Sequence, residues 1–88
     1  MSTALNSKQA KTKYAIFSQP TLKNITWDEV VSLLKAVGCT IVQRQGSSVA
    51  FNVGAHTFSL HRPHPENTIK VYQVQRIRNF LLQIGVTP

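Results

Sequence analysis

Cysteine is nearly absent from this chain. Cys39 stands alone, so neither an internal disulfide framework nor a cysteine-based zinc site can be assembled. It is expected to be a small buried residue just after a helix rather than a reactive thiol. No apolar run is long enough to cross a bilayer. The opening stretch "MSTALNSKQAKTKYAIF" lacks the apolar core of a secretory signal, and without arginine it is not read as a transit peptide, so the cytoplasm is the expected location. Acids are scarce too: three oppose ten lysines and arginines, for a net charge of +7 and a pI near 10.2. Such a balance points to a polyanionic partner, because basic clusters gain free energy by releasing counterions from phosphates. An acidic protein partner fits the same charge. Neither an aromatic-rich RNA-stacking motif, nor an internal repeat, nor a low-complexity segment is present.

What is present fits one small domain. Residues 1–24 read as an N-terminal extension, with residues 1–6 disordered. In "SKQAKTKYAIFSQP" a short helix is expected, with Ala10, Tyr14 and Phe17 on its apolar stripe, ended by Pro20. Residues 25–88 read as the domain proper. "ITWDEVVSLLKAVG" carries a helix signature: Thr26 and Glu29 form a capping box, and Ile25 and Val30 occupy the staple positions. Asp28 and Glu29 complement the helix dipole, so they have a structural task and are not read as a catalytic pair. Trp27, Val30, Val31, Leu34 and Val37 supply the apolar face, and Gly38 stops the helix.

The period then changes to two. "CTIVQR" is rich in β-formers, "QGSS" interrupts it, and "SVAFNV" and "HTFSLH" alternate around Gly54-Ala55, a two-residue turn with glycine first as a type II′ turn requires. That turn fixes a register in which Val53 opposes His56, Phe51 opposes Phe58, Val49 opposes Leu60 and Ser48 opposes His61. The apolar pairs share one face. Ser48, Ala50, Asn52, Thr57, Ser59 and His61 make the other, small and polar, open to solvent or a ligand. A last helix over 70–84 presents Val71, Val74, Ile77, Phe80, Leu81 and Ile84, and Gly85 closes it. Arg76 and Arg78 lie off that stripe, on a solvated face or in contact with a phosphate or acidic partner. The order α-β-β-β-α, with both helices on one face of a three-stranded antiparallel sheet, is an α+β architecture like that of double-stranded-RNA-binding domains.

The segment "HRPHP", residues 61–65, holds two histidines, an arginine and two prolines. Pro63 and Pro65 bias the residues before them away from helix and end the strand near His61. The segment is thus at least a stiff strand-to-helix connection. His61, His64 and Arg62 also set two side chains that exchange protons near neutral pH beside paired donors for a phosphate. His56 points to the other face from His61, and Glu66 is the nearest carboxylate, so neither a metal nor a cofactor is expected.

Taken together, "WDEVVSLLKAVGC", "VQRQGSS", "FSLHRPHP" and a helix ending "LLQIGV" resemble the HicA toxins of bacterial toxin–antitoxin pairs, across roughly residues 25–86. The resemblance implies a double-stranded-RNA-binding-like fold, mRNA cleavage without a metal, and neutralisation by a HicB antitoxin. Arg44, Gly46 and Ser47 stand where the family has its Arg-x-x-Gly-Ser turn. The family's catalytic histidine commonly follows that serine, and here the position is Ser48. Because Ser48 opposes His61 at about 5 Å between Cβ atoms, His61 is expected to take over, with His64 as the second catalytic group. Arg44, Ser47, Ser48, Arg62 and Lys70 are the expected RNA-phosphate contacts. The alternative is a non-catalytic RNA- or protein-binding module of the same fold.

Overall fold

The computed structural model describes residues 5–88. The element order is α1 (Ser7–Phe17), α2 (Trp27–Ala36), β1 (Thr40–Gln43), β2 (Ser48–Val53), β3 (His56–His61) and α3 (Val71–Gln83). The three strands form one antiparallel sheet in the order β1-β2-β3. This is the expected α+β layout, consistent with a double-stranded-RNA-binding-like fold.

The helices start and stop as the local sequence dictates. Thr26 Oγ1 accepts from the Glu29 N–H at 3.2 Å, and Glu29 Oε1 accepts from the Thr26 N–H at 2.9 Å, closing the capping box. At the other end of α2 the Cys39 N–H donates to Leu34 O and the Gly38 N–H to Lys35 O, a Schellman motif. The same pair of bonds ends α3, from Val86 to Leu81 O and from Gly85 to Leu82 O. Cys39 is buried, and loss of solvation pushes its thiol up to about 11.

The hairpin has the predicted register at every pair, from Val53/His56 to Ser48/His61. Gly54 has φ +56° and Ala55 does not enter the positive-φ region, which excludes a type I′ turn and fits type II′. Alternation sends Val49, Phe51, Phe58 and Leu60 to the buried face. Both helices cover that face. Trp27 of α2 meets Phe51 at 6.0 Å between ring centroids, and Phe80 of α3 stacks on Phe58 at 4.7 Å. Phe51 and Phe58 themselves lie 6.4 Å apart. The hairpin's other face is small and polar as expected, although Val42 of β1 is exposed on the same side. Ala50 is fully buried, because it lies on the central strand with Val42 and Ser59 as its flanking partners.

The N-terminal helix differs from expectation in its buried side. Thr12 and Ile16 are its buried residues, whereas Tyr14 is 78% exposed and Ala10 is also exposed; Phe17 is half-buried. The helix packs Ile16 into the core, with Ala15 and Phe17 against it, and polar contacts tie it to α2 and α3. Gln9 Nε2 donates to Ser32 Oγ (3.0 Å), and Arg78 donates to Ile16 O (2.9 Å), Ser18 O (3.3 Å) and Thr21 Oγ1 (3.2 Å). Arg78 is thus a structural tie between the extension and α3. Arg76 lies over the Phe58 ring, its guanidinium carbon 5.1 Å from the centroid. The expected disorder of residues 1–6 falls mostly on residues outside those described. Asn6 caps α1 in a capping box with Gln9, and Leu5 is half-buried against the core.

Candidate nucleic-acid interface and catalytic site

The connection from β3 to α3 is held at several points. Arg62 N–H donates to Ser47 O at 2.7 Å, carrying the β2–β3 ladder one step past the strand ends. Further on, Thr68 forms an antiparallel bridge with Thr26, made by Trp27 N–H to Asn67 O (2.7 Å) and Ile69 N–H to Ile25 O (2.9 Å). Ile25 and Ile69 are both buried beneath this bridge. Residues 62–66 are therefore carried between two backbone anchors, with a bend at His64-Pro65. HRPHP is a rigid connection that displays exposed polar groups.

Ser47 and Arg62 occupy a hydrogen-bonded position of the ladder, so alternation makes Ser48/His61 the close, non-bonded pair, with Cα atoms about 4.5 Å apart. Ser48 and His61 project from the small polar face. The β1–β2 turn reaches the same corner: Arg44 N–H donates to Ser48 O, and Ser48 N–H to Gln45 O. Gly46 has φ +64°, a conformation that side chains other than glycine rarely adopt, and it sets the turn that presents Ser47. Ser47 Oγ lies 3.3 Å from His61 Nδ1. That contact leaves Nε2 as the outward nitrogen of an exposed imidazole.

A cleft of about 410 Å³ opens on the other side of Ser47. It is lined by Gly46, Ser47, Arg62, Pro63, His64, Pro65, Glu66 and Asn67, together with Trp27 and Asp28 of α2. The structure thus brings Ser47, Arg62 and His64 together in one cleft, and places His61 beside it, in contact through Ser47. Arg44 and Lys70 lie exposed nearby in sequence but do not line the cleft. Two of the chain's three acids, Asp28 and Glu66, do line it, so the cleft is positive on the Arg62 side and negative on theirs. Among the described residues no group of three or more His, Cys, Asp and Glu side chains is arranged to hold a metal ion.

Sequence reasoning passed over Gln73. It is 4% exposed on the core side of α3, with Oε1 accepting from the Lys70 N–H at 2.9 Å and Nε2 donating to His61 O at 3.0 Å. Its signal was a polar residue four before Ile77 and seven before Phe80, on the apolar stripe itself. Asp28 and Glu66 in the cleft had no local signal.

The fold and this corner define a small α+β domain of double-stranded-RNA-binding-like layout, with exposed histidine and arginine at the end of its hairpin. The model of the HicA toxin of bacterial toxin–antitoxin family matches residues 27–86. The chain belongs to the HicA toxin family. No curated protein and no solved structure matches it. No helix of the described residues is long and apolar enough to cross a membrane.

Proposed function

We propose that the protein is the toxin of a HicA/HicB-type pair, an endoribonuclease that cleaves mRNA by histidine acid–base chemistry and is neutralised by a HicB-like antitoxin in the cytoplasm. The observation that carries this reading is the Ser48/His61 pair. It sets an exposed imidazole directly across the ladder from the position where the family usually has its catalytic histidine.

In this mechanism His61 takes the 2′-hydroxyl proton at Nε2. That role requires the tautomer whose Nδ1–H donates to Ser47 Oγ. The 2′-oxygen attacks phosphorus, and the bond to the 5′-oxygen breaks. Arg62 holds the non-bridging oxygens, and His64 returns a proton to the leaving oxygen. Arg44 and Lys70 bind flanking phosphates.

The test is cleavage of RNA by purified protein in the presence of chelator. His61→Ala is expected to cost ~10²–10⁴ in rate and His64→Ala less, while His56→Ala, paired with Val53 on the opposite face, leaves the rate unchanged. Full activity in the His61→Ala, His64→Ala double variant rejects the mechanism. An inactive but RNA-binding wild type, with antitoxin absent, leaves a non-catalytic binding module. Reversing the charge of Arg44, Arg62 or Lys70 is expected to reduce the slope of log affinity against log salt by ~0.7 per lost contact with single-stranded RNA.

A further inference from the structure

We infer that Gln73 is a positioning residue for His61, setting where the imidazole stands rather than touching substrate; the inference rests on the catalytic reading of His61 given above. The eight residues from Arg62 to Ile69 leave β3 at His61 and enter α3 at Lys70. One side chain bonds both ends of that connection: Gln73 Nε2 holds His61 O at 3.0 Å, and Gln73 Oε1 holds the Lys70 N–H at 2.9 Å.

The amide is buried among apolar neighbours on the helix face that carries Val74, Ile77 and Phe80. A polar group there is tolerated only because both its ends are bonded. Methionine would fill similar space, but it has no donor for His61 O. Only the amide spans a donor and an acceptor across this gap.

His61 is the last residue of its strand, where strands fray. Two bonds flank its backbone: Gln73 on its own carbonyl and Ser47 O on the next N–H. A third contact, Ser47 Oγ, fixes the ring. Removing the Gln73 bond frees the carbonyl side, so the ring loses its fixed distance to Ser47 and to the phosphate held by Arg62. A displacement of about 1 Å at a reacting group is enough to cost ~10²-fold in rate.

Gln73→Met and Gln73→Glu separate positioning from mere packing. The glutamate keeps the acceptor for the Lys70 N–H and, as the carboxylate, has no donor for His61 O; it is assayed above the pH at which that carboxyl ionises, because the acid form donates to His61 O again. The expected result is a kcat lowered ~10²-fold with KM within about twofold. In a His61→Ala background either substitution is expected to add no further loss, because Gln73 acts through the imidazole. A purely structural role lowers Tm but leaves kcat below Tm unchanged, or adds its loss to that of His61→Ala, and either outcome overturns the inference. A second readout does not depend on catalysis. Proton and nitrogen NMR of the His61 ring, with hydrogen exchange at the Arg62 amide, should show a displaced ring signal and faster exchange in both variants. Wild-type ring shifts and exchange in the variants overturn the positioning role. Absence of RNA cleavage by the wild type overturns the catalytic reading alone, and the NMR comparison still decides whether Gln73 places His61.

Discussion

The two faces of the sheet are made from alternate residues of the same strands, and they follow different rules. On the inner face Val49, Phe51, Phe58 and Leu60 are buried under both helices, and each contributes by area removed from water. On the outer face Ser48, Asn52, Thr57, Ser59 and His61 contribute little to stability, and what matters is which residue stands beside which. A slip of one residue would exchange the two sets. The inner face therefore holds the register that the turn sets, and that register places Ser48 opposite His61. Core packing thus supports the geometry of a corner on the other face, which it meets only at Gln73 and at Trp27 in the cleft.

Substitutions can sharpen that contrast. The largest effect is expected at Phe51→Ala, about 3–5 kcal/mol of lost stability by urea unfolding, because a fully buried ring in contact with Trp27 and Phe58 is removed. Ser59→Ala, on the opposite face, should stay within about 0.5 kcal/mol of wild type. A similar loss for both would break the comparison. The same test applies to α1: Ile16→Ala should cost about 2–5 kcal/mol, whereas Tyr14→Ala, at an exposed position, should change little. Thr26→Ala, which removes the cap of α2, should cost about 0.5–2 kcal/mol.

The smallest effect concerns Cys39. Burial raises its thiol to about 11 from an ordinary 9.0, so the folded state holds the proton to higher pH than the unfolded state. Its contribution is present in full below about pH 9 and is lost as pH rises toward 11. A Cys39→Ala variant, compared with wild type by thermal unfolding across that window, should lack this component of alkaline destabilisation. Alkylation of the native thiol should be slow at pH 8 and fast after denaturation.

Much of this fold is readable from local chemistry. The capping box at Thr26 and Glu29 and the two-residue turn at Gly54-Ala55 act over a few residues, and the hairpin register follows from the turn alone. The α1 stripe was less legible because the helix has few apolar residues, and the large Tyr14 suggested a face that the packing of Ile16 does not use. The site was legible only in part. His61 and Ser48 could be paired from the register. The cleft could not be seen, because it needs residues 27–28, 46–47 and 62–67 to converge, and that convergence depends on the long-range Thr26/Thr68 bridge. Gln73 was hidden for a similar reason: the stripe flags a polar residue but does not name its partner across the connection.

The attachment of α1 has a consequence for the order in which the molecule opens. Arg78 reaches Ile16 across 62 residues of chain, whereas the hairpin closes through a two-residue turn. Loop closure over the longer separation carries the larger entropic cost. The helix it secures buries only Thr12 and Ile16, so sub-global opening reaches it before the sheet. Amide protons of α1 should exchange with solvent while those of β2 remain protected, and during refolding α1 should dock after the hairpin and its two covering helices are in place.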